Sequence, residues 1–213
     1  VIELPTGLSA ELVPLSWLLG VWEGTGVVEY SVGESIERHE FRQRVSFSHD
    51  GLPHLNYSSS TWLVGVAPAP DAGDAESAVG FDPTPLATET GYWRLSRPLS
   101  AADPGPGLLP GVGQRPYSTA SDVETLRNSA EGFDIELSLV HPGGVSEVYL
   151  GQVKGPRIQL ATDAVIRTDG SKSYSAATRL YGLVERDLLW TWDIAALGQD
   201  LRTHASGRLA RLE

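Results

Sequence analysis

The sequence predicts an all-β protein, a closed antiparallel up-and-down barrel of about ten strands with one short N-terminal helix. Three observations lead there. Short runs rich in β-branched and aromatic residues alternate apolar and polar positions along most of the 213 residues. Tight-turn signals such as Asp50-Gly51 and Pro142-Gly-Gly144 separate those runs. Helical spacing is confined to the N-terminal region. A sheet of so many antiparallel strands must close or be covered to remove its edges, and a β-sandwich is the competing architecture.

Residues 8–19 read as a short helix, with Ser9 as a candidate N-cap and Leu12, Leu15, Leu18 and Leu19 as its apolar stripe. Pro14 limits its regularity. Gly20-Val-Trp-Glu-Gly-Thr-Gly26 then switches to strand spacing, and its alternate glycines let a neighbouring backbone come close. Strands are expected at 25–31, 36–48, 52–66, 86–96, 133–140, 145–153, 157–164, 174–184, 188–194 and 203–212. In the second of these, His39, Phe41, Val45 and Phe47 share one face, while Arg38, Glu40, Arg42 and Arg44 share the other. Residues 67–85 and 97–130 break the pattern with Pro, Gly, Ala and Asp, so both read as surface loops. The composition of the longer one favours mobility. No repeat or second domain interrupts the pattern, and 1–213 is expected to be a single domain.

Composition narrows the function. The net charge of −11, from 27 acidic and 16 basic residues, repels nucleic acids and anionic lipid, and no basic stripe offsets it. No apolar run approaches the roughly 20 residues that span a bilayer, and nothing reads as a signal peptide. The chain has no cysteine, which excludes disulfides and thiolate chemistry and fits a cytoplasmic protein. HExxH and Cys/His zinc spacings, a GxSxG elbow and the Lys-Ser/Thr of a phosphate-binding loop are all missing. A small-molecule ligand is the expected partner, with no nucleic acid and no membrane; nothing identifies a protein partner.

There are five histidines. His49 and His141 fall in turns and are expected to be solvated, and His54 follows Pro53 at a strand start. His39 shares its face with apolar residues and is a credible inward imidazole. His204 opens the last strand, where apolar residues occur at both parities, so alternation does not fix which way it points. A lone histidine on a strand is ordinarily a structural or surface residue.

Several motifs, in order, resemble those of the nitrobindin family. They are Gly20-Val-Trp-Glu-Gly-Thr-Gly26 (GxWxGxG), Phe47-Ser-His-Asp-Gly-Leu-Pro53, Thr61-Trp62, Glu89-Thr-Gly-Tyr-Trp-Arg94 and His204-Ala-Ser-Gly-Arg-Leu-Ala-Arg211. The resemblance covers nearly the whole chain outside 67–85 and 97–130. It implies a barrel shaped like lipocalins and fatty-acid-binding proteins that binds ferric haem b, takes up nitric oxide and isomerises peroxynitrite to nitrate. It implies His204 as the proximal iron ligand and His39, Leu86, Ala87, Lys172 and Ile194 as pocket positions, with Lys172 either toward a haem propionate or, beside Asp169-Gly170, equally well solvated. Without methionine or cysteine, histidine and tyrosine are the usual axial ligands still available. Ala87 departs from the family, which often has a distal histidine there, so a distal hydrogen bond is not expected from this position. Thr203 and Ala205 also depart from the usual neighbours of the ligand. Trp22 is expected to plug the closed end and stack on Arg208 or Arg211. The rival reading is a haem-free carrier of fatty acid or another small hydrophobic ligand, its carboxylate gripped by Arg179, Arg202 or Arg208.

Overall fold

Alternating burial, such as Phe133, Ile135, Leu137 and Leu139 inward with their neighbours outward, runs through ten antiparallel strands that close into one barrel. The structure, a computed structural model, describes residues 7–32, 35–64, 84–196 and 201–212. The strands are β1 (Gly20–Val32), β2 (Ser35–Ser48), β3 (Leu55–Leu63), β4 (Thr84–Leu95), β5 (Phe133–His141), β6 (Val145–Lys154), β7 (Arg157–Arg167), β8 (Tyr174–Val184), β9 (Asp187–Ala196) and β10 (Arg202–Arg211). Each pairs with the next, and β10 returns to β1 from Val28↔Ala205 to Trp22↔Arg211. The up-and-down barrel is therefore the architecture, and not the sandwich. Residues 67–83 of the first expected loop lie outside the described residues, and Thr84 and Pro85 already pair with β3.

One end is closed. Residues 10–18 form a 3-10 helix that buries Leu12, Leu15, Trp17 and Leu18; Pro14 sits inside it, and Ser9 makes no side-chain cap. Trp22 is buried beneath, its Nε1 donating to the Leu18 carbonyl at 2.7 Å. The Arg211 guanidinium lies 5.7 Å from its ring centroid. Arg208 instead turns outward to Asp187 at 2.6 Å. At Gly24 an added Cβ would stand 2.1 Å from the Arg208 carbonyl oxygen, so the close β1–β10 contact requires glycine there.

The 97–130 segment is not the mobile loop its composition suggests. Arg97 donates to both oxygens of Glu11 (2.5 and 2.9 Å) and both of Asp103 (2.8 Å each), with all three side chains buried. This ties the loop to the N-terminal 3-10 helix. Further on, Thr119 and Asp122 cap each other at the start of α1 (Ala120–Glu124), whose Val123 is buried. Among the described residues no helix is long and apolar enough to cross a membrane.

Candidate functional site: a cavity at the open end of the barrel

Since β1 leaves the closed end, the last residues of β5 and the first of β4 and β10 meet at the opposite end. They enclose a cavity of about 310 Å³ whose wall includes Val28, Phe41, Leu86, Ala87, Trp192, His204 and Ala205. His204 and Ala205 are sequence neighbours, and strict alternation would place them on opposite faces. A β-bulge resolves this: Thr203 pairs with Asp193 and Ala205 with Trp192, leaving His204 as the extra residue. The same device acts on β4, where Thr61 pairs with Ala87 and Trp62 with Pro85, so Leu86 is extra and joins Ala87 at the mouth.

His204 is half-buried, edge-on to Trp192 with ring centroids 5.5 Å apart. Its Nδ1 donates to the Glu29 carbonyl at 3.0 Å. That bond fixes the tautomer, and no partner among the described residues holds Nε2. Burial lowers the His204 pKa and nearby Arg202 adds to this, against the opposing pull of the Glu29 carbonyl. The imidazole is therefore neutral at neutral pH. Val28, Phe41 and Ala205 pack together beside it as a small apolar cluster.

The other expected pocket residues divide. Leu86 and Ala87 line the cavity, both partly open to solvent. Ile194 follows Trp190 and Trp192 on the inward face of β9 but packs on the main core and not on the cavity wall. His39 does not reach the wall; its ring stacks on Tyr30 at 5.6 Å, and Tyr30 takes the lining position. Lys172 lies exposed in the β7–β8 turn, which solvates its ammonium, and the structure does not bring it to the cavity. Of the three arginines considered as carboxylate grips, Arg202 and Arg208 are not on the wall. Arg179 is, but its guanidinium is already bidentate on Glu89 at 2.7 and 2.8 Å.

The floor of the cavity is a buried polar cluster of which sequence reading named only Arg179. Burial raises the Glu89 pKa, but Arg179 and the Tyr57 hydroxyl overcome this and hold it at about 2. Glu147 on β6 is fully buried and accepts from Tyr149 (2.6 Å) and Tyr174. Its second oxygen lies 2.6 Å from Nε2 of His141. His141 is therefore not a solvated turn residue. It ends β5, continues the inward series of 133, 135, 137 and 139, and lines the cavity. That parity was the signal available in the sequence; the following Pro-Gly-Gly masked it. His49 does stay in the turn after β2, but it is not solvated as expected: its Nδ1 is buried and unpartnered among the described residues.

Residues 11–211 match the family model of the THAP4-like, heme-binding beta-barrel domain. The chain belongs to this haem-binding barrel family. Proteins named peroxynitrite isomerase from Clavibacter michiganensis subsp. michiganensis and Leifsonia xyli subsp. xyli are 66% and 62% identical to it, each alignment covering 100% of both chains. The crystal structure of Rv2717c from M. tuberculosis superimposes with a TM-score of 0.66 at 27% identity, covering 97% of this chain and 99% of that one. The residues present fit the family's haem: a neutral imidazole with one nitrogen tied back and the other unclaimed, beside apolar side chains.

Proposed function

We propose that the chain is a peroxynitrite isomerase that holds ferric haem b at the open end of its barrel, with His204 Nε2 as the axial ligand and nitric oxide as a second small ligand. When bound, the haem supplies a Lewis-acidic ferric position at which peroxynitrite anion rearranges to nitrate. The observation that carries this reading is the Glu29 carbonyl on His204 Nδ1, which orients the ring and leaves Nε2 as the donor. Val28, Phe41 and Trp192 give the cavity beside His204 an apolar wall, and Leu86 and Ala87 border the mouth through which a small anion enters. Ala87 supplies a methyl group and no hydrogen bond. The carrier reading needs an arginine free to grip a carboxylate, and the pairing of Arg179 with Glu89 weighs against it.

The test is haemin titration followed by visible spectroscopy. Wild-type protein is expected to give a saturable Soret band at one haem per chain. His204→Ala is expected to keep the fold by circular dichroism and lose the imidazole-ligated spectrum together with nitrate formation. A His204→Ala protein with an unchanged Soret position overturns the assignment of the ligand, and a wild type that takes up no haem overturns the function.

A further inference from the structure

Two imidazoles enter the cavity wall among its described residues, and the function above uses one. His141 stands on β5, and β10 is five strands away in either direction around the closed ten-strand ring. His141 and His204 therefore reach the same hollow from opposite walls.

The surroundings of His141 leave one of its nitrogens committed and the other available. Nε2 is 2.6 Å from Oε2 of Glu147, an ionised carboxylate that can only accept, so Nε2 carries the proton in that contact. Oε1 of Glu147 is taken by the Tyr149 and Tyr174 hydroxyls. Nδ1 is 3.8 Å from the Glu89 carboxylate, beyond hydrogen-bond reach. The charged groups around the ring are Glu89 from β4, Glu147 from β6 and Arg179 from β8, the last bidentate on Glu89 and 3.8 Å from Glu147. Two carboxylates thus face one guanidinium.

We propose that His141 Nδ1 is the proton acceptor for the acid form of the substrate, with Glu147 as the positioning residue that fixes its tautomer; this rests on the haem reading of the cavity. Peroxynitrous acid entering the mouth loses its proton to Nδ1. The O–H bond breaks, its electron pair stays on the substrate oxygen, an N–H bond forms, and no electron is transferred. The substrate goes on as the anion. The proton returns to water at the mouth once nitrate has left. Ala87 offers only a methyl group to the cavity, and among its described lining residues His141 is the imidazole opposite His204.

The test uses hydrogen cyanide, a weak acid that is protonated at neutral pH and binds ferric iron as its anion. Its association with the haem-loaded protein is followed by stopped-flow through the Soret shift across pH. His141→Gln keeps an N–H donor for Glu147 but has no basic nitrogen. It is expected to slow association at least about tenfold at neutral pH, the low side of what a positioned acid–base group contributes. The difference should close at alkaline pH, where cyanide is already the anion. In haem-free wild type, nitrogen-15 NMR is expected to show His141 as the Nε2–H tautomer, a readout that does not depend on the variant folding. An unchanged rate, an equal slowing at every pH, or an Nδ1–H tautomer overturns the proposal and leaves the haem assignment standing. A wild type with no Soret band overturns both.

Discussion

Position 204 carries the proposed chemistry because the chain departs from regular β geometry there. Alternation places Ala205 and Leu209 inside, and without the bulge His204 would face solvent. No residue type in the sequence announces a bulge at this point, and apolar residues at both parities left the orientation of the last strand undecided, so His204 was singled out by motif order alone. His141 was the reverse case, legible from parity and hidden by its turn. The charged residues on the cavity floor were hard to see because burial of Glu89, Glu147 and Arg179 depends on partners from three strands far apart in sequence. Removing one partner leaves the others buried and unmatched. Arg179→Met is accordingly expected to destabilise the protein by about 3–5 kcal/mol, read as a lower urea midpoint. A smaller loss than about 1 kcal/mol would mean that Glu89 and Glu147 simply take up protons.

Among the elements, the strands were the legible part, since each presents a pattern within a dozen residues. The 97–130 segment was not. Its glycines and prolines describe a chain with little core of its own, whereas its order comes from Arg97 reaching Glu11, 86 positions away. Such a tie has no local signature. Arg97→Leu strands Glu11 and Asp103 at a buried site and is expected to release the segment from the 3-10 helix. Limited proteolysis should then cut between 98 and 118 faster than in wild type, while the far-ultraviolet signal of the barrel stays the same. Equal cleavage rates in the two proteins would show that the packing of Tyr117 and Val123 on the core and the α1 capping box hold the segment by themselves.

For the whole molecule, acid is the condition that reaches the cavity floor. Glu89 has a folded-state pKa of about 2 against its ordinary 4.5, so folding favours its ionised form. The corresponding stability is fully present above about pH 4.5 and is lost as pH falls toward 2, amounting to about 3 kcal/mol by linkage. Glu147, also lowered, adds in the same direction. Urea midpoints measured from pH 6 down to pH 2 are expected to fall through that window in wild type. In Glu89→Gln the fall should be shallower. Parallel profiles for the two proteins would place the acid-sensitive groups elsewhere.

The pairing of β10 with β1 has one more consequence. The strand that seals the ring also carries His204, so a polypeptide still short of its final segment has two open sheet edges and, at the same time, lacks the nitrogen proposed to hold the iron. Closing the ring and presenting that nitrogen are a single event. On the assignment proposed for His204, haem uptake is expected of finished copies and not of unfinished ones.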